Sequence, residues 1–116
     1  MKILIESIPQ QYQRYETLGD WFYEGDILHI NVSDHLSEDE QLLIAFHELV
    51  EVKLCEKRGI TQKQVDDFDF NFKSEDPKEE PGDNKYSPYR KEHRFSMLME
   101  HLFAHELGIE NYGIVK

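Results

Sequence analysis

His47, Glu48 and Glu51 are the residues of this chain best suited to chemistry, because of their spacing and their surroundings. His47 and Glu51 stand four positions apart, so on a helix both project from one face, close enough to share a metal ion. Glu48 is turned from His47 by about 100°, which puts its carboxylate within reach of a water on that ion. All three lie in residues 42–55, where ten of fourteen residues are apolar. A helix this apolar is buried around most of its circumference. Imidazole and carboxylate groups are costly there unless they are paired or bound to a metal. The expected chemistry is a divalent ion held by imidazole and carboxylate, with Glu48 as the general base that deprotonates a water on it.

A catalytic zinc takes three protein ligands and leaves a fourth position open, so one ligand must come from another element. The helix expected over residues 89–107 offers two faces. Tyr89, His93, Met97, Glu100 and Ala104 fall on one; Arg90, Arg94, His101 and His105 fall on another, about 100° round. Phe95, Leu98, Met99 and Leu102 form its predicted core stripe. His101 and His105 have ligand spacing, but the guanidiniums beside them repel a divalent cation, and their face reads as solvated. His93 is therefore the expected third ligand. Glu100 is expected to orient it by meeting its other ring nitrogen, or to ligate directly. Tyr89 stands beside it, and Tyr86 or Tyr89 is the candidate oxyanion donor. The expected ion is zinc; nickel, cobalt and manganese would accept the same ligands. The alternative for the same residues is a network of buried ion pairs, or a site that has lost its metal.

The elements that must position this group are legible in part. Residues 2–8 form a β-rich run stopped by Pro9; residues 21–23 and 27–32 form two more, joined by Glu24-Gly25-Asp26 as a hairpin. Leu28, Ile30 and Val32 face one way along the second arm, His29 and Asn31 the other; His29 reads as a surface or cleft residue. Ser37 with Glu40 forms a capping box for the long helix, which closes at Lys57, Arg58 and Gly59. Thr61 with Gln64 caps a second helix carrying a Val65, Phe68, Phe72 stripe. Residues 73–88 carry no apolar period and read as an acidic surface loop. Ser87 and Pro88 are the predicted cap and first-turn residues of the third helix, which Gly108 ends; the tail is expected to pack through Tyr112 and Ile114.

The chain of 116 residues is sized for one domain, residues 1–116, of α+β class: about three strands in an antiparallel or mixed sheet against three helices. Thirteen basic against twenty-four acidic residues give a net charge of −11, which disfavours nucleic acid and suits a basic protein partner. The single cysteine, Cys55, excludes an intramolecular disulfide and reads as a buried thiol. No apolar stretch has the length of a membrane span, and the first nine residues do not resemble a signal peptide. The expectation is a cytoplasmic protein.

With these residues placed, the chain resembles a zincin metallopeptidase reduced to its core, of minimal gluzincin type. The resemblance identifies residues 27–32 with the strand edging the cleft and residues 44–54 (IAFHELVEVKL) with the active-site helix. The chain is also similar to small hypothetical bacteriophage proteins with a His-Glu-Leu-x-Glu helix. These carry a Gly-Ile turn, a Phe-Asp pair and P-Y-x-x-x-H, here Gly59-Ile60, Phe68-Asp69 and residues 88–93. Glu51 stands where zincins have a second histidine and His93 where many have a glutamate. The likeness implies a zinc-dependent hydrolase, with a peptide or protein substrate paired along the cleft strand. The alternative is a non-catalytic acidic interaction or regulatory protein, of phage type, with a structural or vestigial metal site.

Overall fold

Glu24-Gly25-Asp26 turns the chain tightly, with Gly25 at φ 61°, and so pairs strands β2 (Gly19–Glu24) and β3 (Ile27–Ser33) antiparallel. Strand β1 (Lys2–Ile8) lies along the other side of β3 and runs parallel to it, giving a mixed sheet of order β1-β3-β2. The computed structural model describes residues 1–112; Ile114 of the expected tail contact lies outside them. The class is α+β, with three strands and three helices among the described residues. β3 is the central strand, so it cannot be the edge of a cleft as the zincin comparison implied.

One face of the sheet is the core. Leu28, Ile30 and Val32 alternate inward with Trp21 opposite Ile30, and all are buried. Helix α1 (Glu38–Lys57) lies on this face, contributing Ala45, Val52 and Cys55 to the same cluster. Its capping box is formed: Ser37 Oγ accepts from Glu40 N–H, and Glu40 Oε1 accepts from Ser37 N–H. Helix α2 (Gln62–Phe70) is capped in the same way by Thr61 and Gln64. Of its expected stripe Val65 is buried, while Phe68 and Phe72 are only partly so.

Helix α3 (Arg90–Glu106) packs on the flank of α1, with Phe46 and Phe103 in a T-shaped contact at 5.1 Å. It starts at Arg90, one residue later than expected, and its cap shifts by two: Tyr89 is the capping residue, and Ser87 Oγ instead accepts from Tyr89 N–H at 3.2 Å. Its orientation reverses the sequence expectation. Phe95, Leu98 and Leu102 are 46%, 55% and 53% exposed, whereas His93, Ser96, Glu100 and Ala104 are buried. Burying carboxylate and imidazole is tolerable only because α1 supplies their partners. Arg58 Nη1 donates to Glu92 Oε2 at 2.9 Å and joins the end of α1 to the start of α3.

A polar clasp joins α2 to β2. The Arg14 guanidinium bridges Asp20 (2.7 and 2.9 Å) and Asp66 (2.9 and 3.0 Å) and lies over the Phe22 ring. Two groups on the free edge of β2 are taken by this region: Trp21 O accepts from Arg14 Nη2, and Tyr23 N–H donates to Gln62 Oε1. An extended peptide has no continuous ladder to join there.

Candidate metal centre

The i, i+4 spacing on α1 places His47 and Glu51 together, and α3 brings His93 against them. Three donor atoms converge: His47 Nε2 to Glu51 Oε2 is 3.1 Å, His47 Nε2 to His93 Nδ1 is 3.3 Å, and His93 Nδ1 to Glu51 Oε2 is 2.9 Å. A triangle with these sides has a circumscribed radius of about 1.8 Å, just under the ~2.0–2.2 Å bonds of zinc to nitrogen and carboxylate oxygen. All three atoms therefore reach one ion of that size, and the donor set of two imidazoles and a carboxylate suits a divalent transition metal. The three residues are only 4–6% exposed.

Each donor is held from behind. His47 Nδ1 meets Glu100 Oε1 at 2.7 Å, so Glu100 orients His47 and not His93. Tyr112 O–H donates to the other Glu100 oxygen, which makes the tail residue a support of the site. Trp21 Nε1–H donates to Glu51 Oε1 at 3.0 Å, leaving Oε2 for the triangle. His93 Nε2 meets Glu80 Oε2 at 3.1 Å, with Asp83 Oδ1 at 3.6 Å.

Glu80 and Asp83 come from the segment expected to be only an acidic surface loop. Pro81–Asp83 forms a 3-10 turn packed on the imidazole, and a Cβ at Gly82 would lie 2.5 Å from His93 Nδ1. The missing side chain is what lets the loop close over the site. Aperiodic sequence hid this. The only available signal was the Glu80-Pro81-Gly82-Asp83 turn shortly before the His93 motif.

Tyr89 lies edge-on to the His93 ring at 6.0 Å, but its hydroxyl donates to Asp69 Oδ1 at 2.7 Å, away from the donor triangle. Tyr15 O–H donates to the other oxygen of Asp69. Tyr86 is 74% exposed. Neither candidate oxyanion donor is aimed at the site. His101 packs against Tyr112 and His105 is exposed; neither joins a group of converging donors among the described residues.

Burial and charge act oppositely here. Burial pushes both imidazoles toward neutrality, but their carboxylate partners win: His47 rises to about 11 beside Glu100 and Glu51, and His93 to about 10 beside Glu51 and Glu80. Burial raises Glu51, yet hydrogen bonds from both imidazoles hold it down at about 2. Without metal the centre therefore holds two imidazolium protons, the same charge as one divalent ion. Glu48 differs. Its carboxylate is 3.8 Å from His47 Nε2, and burial followed by the Glu51 charge pushes it well above the ordinary carboxylate range.

A cavity of about 460 Å³, lined by Trp21, Tyr23, Val52, Glu56, Ile60 and Gln62 among others, contains none of the three donors. No described helix is long and apolar enough to cross a membrane. Compared with protein-family models, curated proteins and solved structures, the chain matches none.

Proposed function

We propose that this chain is a zinc-binding, zincin-like protein acting as a small metal-dependent hydrolase, with His47, Glu51 and His93 as ligands and Glu48 as general base. The observation that carries this is the buried triangle His47 Nε2, Glu51 Oε2 and His93 Nδ1, whose sides of 2.9–3.3 Å suit one ion. A bound zinc ion would supply a Lewis acid and the positive charge that draws the proton off Glu48. Glu100 and Glu80 would fix the two ring orientations, so that His47 offers Nε2 and His93 offers Nδ1. Glu48, on the β2 side of the triangle beside Gly19, would take a proton at its carboxylate. Burial and the Glu51 charge raise its affinity for protons, which a general base requires.

The blocked edge of β2 argues for a compact acyl substrate over a long extended peptide. The same feature, with the Gly82 turn over His93, favours a second reading in which the metal is structural and the acidic surface binds a basic protein partner. Substituting Glu48→Gln separates the two. The hydrolase reading expects zinc content to persist and hydrolysis of small ester and amide substrates to fall by a factor of at least about 100. Turnover that survives Glu48→Gln defeats the mechanism. A zinc-loaded wild type with no turnover on any substrate leaves the structural reading.

A further inference from the structure

Among the described residues nothing pairs with the outer edge of strand β1. Its Lys2 N–H donates to Asp26 O, and Ile8 O accepts from Asp34 N–H, so the even-numbered residues direct their main-chain groups at β3. Ile3 and Ile5 therefore direct theirs outward, at the free edge. Their side chains lie on the face shared with Leu28 and Ile30, yet they are 49% and 51% exposed, because α1 covers the centre of the sheet and not this margin. Lys2 and Glu6 are exposed on the opposite face, and neither has an ion-pair partner among the described residues.

We propose that β1 pairs antiparallel with β1 of a second copy across a two-fold axis, extending two three-stranded sheets into one of six. The strand is self-complementary in one register. When Ile3 opposes Ile5 of the partner copy, Leu4 meets its own counterpart on the axis and Lys2 meets Glu6. The Ile3–Ile5 pairs, with outward main-chain groups, form the hydrogen-bonded rungs. The Lys2–Glu6 pairs fall on the closer, non-bonded rungs, where opposite charges interact best. Shifting the register by two residues sets Lys2 or Glu6 against an apolar residue, so charge and hydrophobicity select the same alignment. The four isoleucines gather on the helix side and cover one another. Each copy carries −11, but at about 0.15 M salt the Debye length is ~8 Å, so the contacts at the edge outweigh charges farther away.

The test is sedimentation of the 116-residue chain from about 1 to about 500 µM at about 0.15 M salt. Wild type is expected to dimerise within this range. The axis doubles every substitution, so Lys2→Glu and Glu6→Lys should each weaken the dimer by roughly tenfold. The charge-swapped double variant should restore it. Both positions are exposed, and unchanged circular dichroism would show that each variant folds. A wild type that stays monomeric overturns the proposal. So does a dimer indifferent to the single reversals, or one that the double swap fails to rescue.

Discussion

Zinc should displace protons from this centre, and their number follows from the geometry. In the metal-free chain His47 Nε2 and His93 Nδ1 both face Glu51 Oε2, and the two imidazoles hold their protons up to about 11 and about 10. At pH 6 both are fully protonated, and each must give up the proton on its donor nitrogen before it can ligate. Glu51 is already ionised, with its proton affinity held down at about 2. Removing the Glu48 contribution with Glu48→Gln leaves a count of about two protons per zinc, and the apparent Kd should tighten by about 100-fold per pH unit, or ~2.7 kcal/mol. Calorimetric titration at pH 6 in two buffers of different ionisation enthalpy gives the count directly. Release of one proton or fewer, or a Kd that moves tenfold or less per pH unit, would show that the imidazoles are not the protonated partners of Glu51.

The metal-free fold should lose stability as the solution becomes alkaline. His47 and His93 have raised folded values, so their contribution is complete below about 6.5 and is lost as pH rises toward about 10–11. Glu48 and Asp69, raised chiefly by burial and in Asp69 to about 7, act in the same direction at lower pH. Thermal melts should show a loss on the order of 5 kcal/mol between pH 7 and 9, about 2.5 for each imidazole, with the stabilisation added by zinc growing over the same interval; a flat metal-free profile would contradict this. Trp21→Phe deprives Glu51 Oε1 of its donor, which should cost about 1–3 kcal/mol and roughly 10–100-fold in zinc affinity by chelator competition. Gly82→Ala places a methyl group against the His93 ring, so the turn must lift or the imidazole must rotate. Zinc affinity should fall by at least about tenfold, and an unchanged affinity would mean that the turn does not constrain His93.

The features legible in the sequence were those with a local cause. Both capping boxes, the Gly25 hairpin and the inward Leu28, Ile30, Val32 alternation each arise within a few residues, and the structure has them all. The spacing of His47 and Glu51 and the distinct face carrying His93 and Glu100 were also readable. Which face of α3 is buried was not. Hydrophobic periodicity selects Phe95, Leu98 and Leu102, but the structure buries His93 and Glu100 because their partners stand on α1. Strand order depends on contacts between distant residues, so the central position of β3 left no local trace. Glu80 and Asp83 reach the site from an aperiodic segment, where neither spacing nor amphipathicity marks a side chain as turned toward it; Tyr112 was expected to pack, but not to support Glu100.

His47, Glu51 and His93 are proposed to hold a metal ion. Mass-spectrometric metal analysis of protein purified without a histidine tag tests it most directly, beside a His47→Ala, His93→Ala double variant. The wild type should carry about one zinc per chain, as a four-coordinate site requires, and the variant none. A wild type that holds no metal after exposure to zinc, or a variant that retains it, would contradict the claim and leave these residues as a buried ion-pair network.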